Sequence, residues 1–236
     1  MPSAAILTIG NELTSGDVVD TNGPWLGQRL ERLGVKVMLL AAAPDEIDAI
    51  ARFVRREAAE ADFVLVTGGL GGTPDDLTRE ALAAAFGVEQ VLVPDLARTL
   101  RERFTRDPDY AARWAELPAG SRPLDNPLGG APGFAIENVY VFPGLPVEMK
   151  AMFDSIEGEF AGSSPIGSWR RTYRTRESEI APVLAEAGDR FPDVIVGSYP
   201  SFEGEPTVEV VAKSHDAALL ERATGWLETE LARATA

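Results

Sequence analysis

Short apolar runs alternate with amphipathic stretches along the whole chain. Ala4 to Ile9 is continuously apolar and predicts a strand that stops at Gly10. A polar, glycine-punctuated loop follows, Gly10 to Asn22. Trp25, Leu26, Leu30 and Leu33 then recur at helical spacing and predict a helix from about Thr21 to Leu33. Asp20, Thr21 and Asn22 are all suitable caps, and Gly34 ends the helix as a C′ residue. Val35 to Leu40 predicts a second strand, continuous and apolar, left through Ala41 to Pro44. A second helix is expected from Asp45, with Ile47, Ile50, Ala51, Val54 and Ala58 on its buried side. Asp62 to Thr67 predicts a third strand, and Leu77, Leu82 and Phe86 space out a third helix closed by Gly87.

The stretch from Val88 to Leu117 reads as helical from about Pro94, with Leu96, Leu100, Phe104, Tyr110 and Trp114 as its apolar positions. A Pro- and Gly-rich loop at 126–133 leads to a hairpin of Phe134–Ile136 and Val139–Phe142, turned at Glu137-Asn138. A further helix opens with Pro146 in its first turn. Strands alternating with helices predict an α/β layer fold with a mostly parallel sheet. The Gly/Ser/Pro run at 161–168 marks a domain boundary, giving domains 1–163 and 169–236. In the second domain, 170–174, 194–199 and 207–212 are expected strands, with helices at 177–187 and 217–232. This β-α-β-β-α order describes a small α+β module.

In parallel sheets ligands bind beyond the carboxyl ends of the strands. Three loops fall there: Gly10–Gly16, Ala43–Asp45 and Gly68–Asp76. The last carries Gly68, Gly69, Gly71 and Gly72, then Thr73, Pro74, Asp75 and Asp76. Without Cβ atoms, such a turn lets N–H groups wrap an anion, and the following helix adds its positive end. Asp75 and Asp76 would repel a bare phosphate, but suit one bridged by a divalent cation. The structural alternative is a tight turn with Asp76 as N-cap and Asp75 solvated. No Gly-Lys-Ser/Thr follows, so this is not a P-loop. Asp45 and Asp76 are expected to begin helices on the same edge and so could share a metal. Glu148 and Lys150, in the first turn of the helix after Pro146, face either ligand or solvent.

Composition narrows the classes. The chain has 236 residues with 45% hydrophobic content, a formal net charge of −15, no cysteine and one histidine, His215. Disulfides, thiolate metal sites and cysteine nucleophiles are excluded. The acidic balance disfavours nucleic acid as a partner. No run is long enough to span a membrane and no leader-like start is present, so a cytoplasmic location is expected. His215 lies in the second domain and is expected to be solvated or capping, which makes histidine-based mechanisms unattractive.

Five ordered motifs together resemble the competence/damage-inducible protein A (CinA) family: 9–16, Asp20-Thr-Asn22, 68–82, 126–134 and 143–150. The resemblance implies a three-layer α/β/α domain similar to the MoaB/Mog molybdopterin-binding fold, followed by a small KH-like α+β domain. The KH-like module has no Gly-x-x-Gly turn, so a structural or dimerising role is expected rather than RNA binding. Larger family members carry a further nicotinamide mononucleotide deamidase domain; with the chain ending at Ala236, that activity is expected to be absent. The family's first domain is associated with metal-dependent ADP-ribose pyrophosphatase activity. The resemblance therefore implies hydrolysis of ADP-ribose to AMP and ribose 5-phosphate. Asp45 and Asp76 would be ligands of Mg²⁺, Mn²⁺ or Co²⁺, and Asp75 or Glu12 would orient water. N–H groups of Gly69 to Thr73 and of the helix after Pro146 would hold the phosphates. Gly10, Asn22, Gly68, Gly69, Gly71, Gly72, Thr73, Thr78, Asn126, Gly129, Gly144, Glu148 and Lys150 complete the expected binding set. The alternatives are molybdopterin adenylyltransferase-like chemistry in the same site, or nucleotide or pterin binding without turnover. A homo-oligomer is expected, a dimer or else a trimer.

Overall fold

The computed structural model describes residues 1–160, 162, 165–202 and 204–235. Ala161, Ser163 and Ser164 of the expected linker lie outside these, as does Glu203 of the loop between the last two strands. The chain divides into two compact units, Met1–Ser163 and Ser164–Ala236.

The first unit runs β1 (Ser3–Ile9), α1 (Asn11–Ser15), α2 (Asn22–Arg32), β2 (Lys36–Ala43), α3 (Ile47–Glu60), β3 (Phe63–Thr67) and α4 (Thr78–Phe86). It continues through β4 (Gln90–Leu92), α5 (Pro94–Arg103), α6 (Pro108–Ala112), β5 (Glu116–Pro118), β6 (Arg122–Leu124), β7 (Gly133–Ile136), β8 (Val139–Phe142) and α7 (Pro146–Ile156). A six-stranded sheet has the order β2-β1-β3-β8-β7-β6. Its first four strands are parallel, and β7 is antiparallel to both β8 and β6. One face packs Leu7, Val64, Val66 and Val141 against Ile50 and Val54 of α3 and Leu82 of α4. The other packs Ile6, Leu65 and Phe142 against Leu26 and Leu30 of α2 and Met152 and Phe153 of α7. Side chains on a strand alternate between faces, so these two sets make the middle layer of a three-layer α/β/α unit.

Four findings refine the sequence reading. The polar loop after β1 holds the short helix α1. The second strand lies at the sheet edge, with Met38 and Leu40 exposed, so its unbroken apolar run does not mean burial on both faces. Ile47 is likewise exposed, because α3 starts there rather than at Asp45 and its inner stripe begins at Ile50. The segment 88–117 is not one helix. It is β4, α5, α6 and β5, with β4 and β5 paired antiparallel. Pro94 and Pro108 each open a new helix, as the missing N–H allows only in a first turn.

The second unit is β9 (Gly167–Tyr173), α8 (Glu177–Arg190), β10 (Ile195–Ser201), β11 (Thr207–Ser214) and α9 (Ala217–Ala234). Its antiparallel sheet, order β10-β11-β9, packs Val208, Val210 and Ala212 on Ile180 of α8 and Leu227 of α9.

Candidate functional site

The parallel register aligns the ends of four strands: Ile9 beside Ala43, Thr8 beside Thr67, and Thr67 beside Phe142. The loops leaving them therefore share one edge. They enclose a cleft of about 300 Å³ lined by Gly10, Glu12, Asp45, Gly68, Gly69, Asp75, Asp76 and Gly144, with Asn22 and Thr67 in its wall.

Local chemistry explains how each group is placed. Asn11 N–H donates to Asp45 Oδ2 at 2.9 Å, and Asp45 N–H returns a bond to Asn11 Oδ1 at 3.3 Å. This pair ties the start of α1 to the end of β2. Gly68 and Gly69 have φ of 110° and 64°, values that favour glycine. A Cβ on Gly68 would strike Ile9 O, and one on Gly69 would strike Thr78 Oγ1. Buried Thr78 is therefore structural: its hydroxyl donates to Gly68 O at 2.8 Å and its N–H to Gly69 O at 3.2 Å.

Asp76 is not the N-cap of α4, a position held by Leu77. Its carboxylate instead closes the Gly-rich loop. Oδ1 accepts from Gly71 N–H and Oδ2 from Thr73 N–H, both at 2.8 Å, and the Thr73 hydroxyl also donates to Oδ2. Two of the N–H groups expected to cradle phosphate are thus already committed to Asp76. Arg79, which sequence reasoning left without a role, grips the same loop from beneath. It is buried and donates from Nη1 to Leu70 O at 2.9 Å and from Nη2 to Gly71 O at 3.0 Å. Burial lowers its pKa below the usual guanidinium value, while Glu80, Asp76 and Glu116 act to raise it. Tyr110 of α6 donates its hydroxyl to Gly72 O.

The cleft concentrates negative charge. The pKa of Asp45 is raised above the usual carboxylate value, first by burial and then by the charges of Asp75, Glu12 and Asp76, against the lowering effect of Asn11 N–H. Exposed Asp75 lies below the usual carboxylate range, with its own backbone N–H among the causes. Among the described residues, no three Asp, Glu, His or Cys side chains gather as a metal-holding group.

A second cavity, about 530 Å³, lies against the same loop, sharing Gly69, Asp76 and Gly144 with the first. Its wall carries Leu70, Phe104, Trp114, Leu128, Gly129 and Glu148. Asn126 is buried and shapes that wall. Its Nδ2 donates to Ala131 O and to Glu148 Oε2, each at 3.0 Å, and its Oδ1 accepts from Leu128 N–H at 3.0 Å. Glu148 thus faces the cavity, whereas the Lys150 ammonium stands 5.6 Å from the Trp25 ring centroid and lies outside both linings. Gly72 and Thr73 line a smaller pocket of about 130 Å³ behind the loop, with Arg79 and Tyr110. Phe104, Trp114 and Tyr110 could not be found from the sequence, since their apolar spacing reads equally well as helix core.

A parallel sheet with a cleft and a glycine turn at its strand ends defines an α/β domain of the kind that binds small molecules beyond its strand ends. Residues 5–160 match the family model described as "Probable molybdopterin binding domain", and residues 172–236 match "FAD synthase, middle domain". The chain belongs to the CinA family, with an N-terminal MoaB-like domain. A protein of Archaeoglobus fulgidus is 37% identical, covering 83% of this chain and 84% of its own length. A CinA-like protein of Frankia casuarinae is also 37% identical over 96% of this chain, which spans 57% of that relative's length. The crystal structure of CinA from Thermoplasma acidophilum superposes with a TM-score of 0.64 at 30% identity, covering 67% of this chain and 98% of that one. Among the described residues, no helix is long and apolar enough to cross a membrane.

Proposed function

We propose that the first domain hydrolyses ADP-ribose to AMP and ribose 5-phosphate with the help of a divalent cation. The observation that carries this reading is the crowding of Asp45, Glu12, Asp75 and Asp76 around one cleft beside a glycine turn. The carboxylates around Asp45, which together with burial raise its pKa, favour a cation beside it, and a diphosphate is an anion that brings such a cation. Among the described residues no three such ligands gather, so an ion here would take most of its oxygen ligands from water and substrate, as Mg²⁺ does. Asp45 is the best-placed protein ligand. Asp76 contributes charge, but both its oxygens already hold the loop. When bound, the cation would neutralise the diphosphate and acidify an attacking water.

The chain's own groups supply the rest. The Gly69 N–H, with the first turn of α7 beyond Pro146, holds phosphate oxygens as charge builds. Glu12 or Asp75 takes the water's proton. Oxygen from water bonds to one phosphorus, the bridging P–O bond breaks, and the leaving phosphate carries away the bond's electron pair. Nucleotide chromatography after incubation with ADP-ribose and Mg²⁺, Mn²⁺ or Co²⁺ tests this: AMP and ribose 5-phosphate are expected, and none with EDTA. Absence of AMP under every metal and salt condition would overturn it. The match to a molybdopterin-binding model favours a second reading, adenylylation of a pterin phosphate in the same cleft. Its products, an adenylylated pterin and pyrophosphate, separate on the same column.

A further inference from the structure

Asn22 is 8% exposed and sits in the wall of the acidic cleft, at the first position of α2. Its Nδ2 donates to Gly144 O at 2.8 Å and to Thr67 Oγ1 at 3.2 Å. These bonds settle which way round the carboxamide lies. A backbone carbonyl can only accept, so the nitrogen must face Gly144. Thr67 spends its own hydroxyl proton on Pro143 O at 2.8 Å, so towards Asn22 it accepts. The carboxamide oxygen is therefore turned away from both. Asn22 Oδ1 is buried and makes no hydrogen bond among the described residues.

A buried acceptor without a donor is costly unless a ligand or water supplies one. The anchoring is elaborate for an idle group. Asp20 Oδ1 accepts from the N–H groups of Asn22 and Gly23, at 3.0 and 3.1 Å, and fixes the start of α2. Gly144 in turn packs on Gly68, where an added Cβ would lie 3.3 Å from the Gly68 Cα. The carboxamide is thereby tied to the turn that receives the phosphates. Val18 and Val19 in the same wall are exposed.

Resting on the nucleotide diphosphate reading above, we infer that Asn22 Oδ1 accepts a hydrogen bond from a ribose hydroxyl of the bound nucleotide, so that Asn22 selects ribonucleotides over deoxyribonucleotides. A sugar hydroxyl is the donor that lies next to a nucleotide's phosphates. The acidic wall would equally receive a donor and repel a second acceptor.

Calorimetric titration of the whole protein with ADP, 2′-deoxy-ADP, 3′-deoxy-ADP and ADP-ribose in Mg²⁺ buffer tests the inference. One of the two deoxy nucleotides should bind roughly fivefold to tenfold more weakly than ADP, the range of a single neutral hydrogen bond. Asn22→Ala should lose the same factor for ADP and show no further loss for that deoxy nucleotide. Damage to the cleft alone would weaken all the nucleotides alike. If Asn22→Ala does not fold, the wild-type series still decides. Equal affinities for ADP and both deoxy forms, or no binding of ADP, overturn the inference. If ADP-ribose binds in those cases, the inference alone falls; if ADP-ribose does not bind either, the nucleotide diphosphate reading falls with it.

Discussion

Burial and neighbouring carboxylates raise the pKa of Asp45, and this sets a pH dependence with a definite sign. Between the unfolded and folded values, the native state holds a proton that the unfolded chain has released. The stability this proton brings is complete below the unfolded pKa and is lost as pH rises through the folded value. Asp45→Asn removes the repulsion while its side-chain oxygen can still accept from Asn11. Its melting temperature should exceed that of the wild type at about pH 7 in EDTA, and the gap should close near about pH 4. Asp76→Ala is different in kind, because it frees the Gly71 and Thr73 N–H groups. It should lower stability by about 1–3 kcal/mol in denaturant titration. Turnover of ADP-ribose should drop roughly 100-fold or more as the loop shifts. The sequence showed Asp45 and Asp76 as charged residues at strand ends, but not that one is the strained carboxylate and the other a loop clasp. That difference lies in hydrogen bonds to residues three to five positions away and across the sheet. The grip of Arg79 on the loop carbonyls was hidden for the same reason, since a helical Arg is usually solvated.

The β3–turn–α4 element was the most legible part of the chain, because a glycine cluster between an apolar run and a helical pattern has few conformational solutions. Its two roles for glycine can be separated by substitution. Gly69 and Gly87 have nearly equal φ, 64° and 66°, yet an added Cβ meets Thr78 at Gly69 and open space at Gly87. Gly87→Ala should cost about 1–2 kcal/mol, the left-handed backbone term alone. Gly69→Ala should cost more in the same denaturant titration, with loss of nucleotide binding besides. Equal costs would show that the close approach to Thr78 is unimportant. The stretch from β4 to β5 was the least legible. Its apolar spacing suited one long helix, and only the placement of Pro94 and Pro108 signalled the breaks. For the edge strand β2 the strand itself was legible but its place was not, because hydrophobicity alone does not tell a strand covered on both faces from one at the border of the sheet.

At the scale of the molecule, each unit has its own buried cluster, and the cleft draws its lining from the first unit alone. Residues 1–163 expressed alone should therefore fold cooperatively and keep ADP-ribose turnover within about threefold of the whole chain, with thermal melting and product assay as checks. The net charge of −15 opposes an anionic ligand at long range. Raising ionic strength from low values should therefore lower the KM for ADP-ribose. In the proposed reaction the Asp45 cleft brings a cation and a diphosphate together for hydrolysis. The most direct measurement is AMP release from ADP-ribose by wild type and Asp45→Asn, side by side, as Mg²⁺ is titrated from EDTA upward. Saturable, Mg²⁺-dependent AMP formation by wild type is expected, and its loss in Asp45→Asn, although that variant melts higher in EDTA. AMP formation independent of the metal, or unchanged in Asp45→Asn, would contradict it.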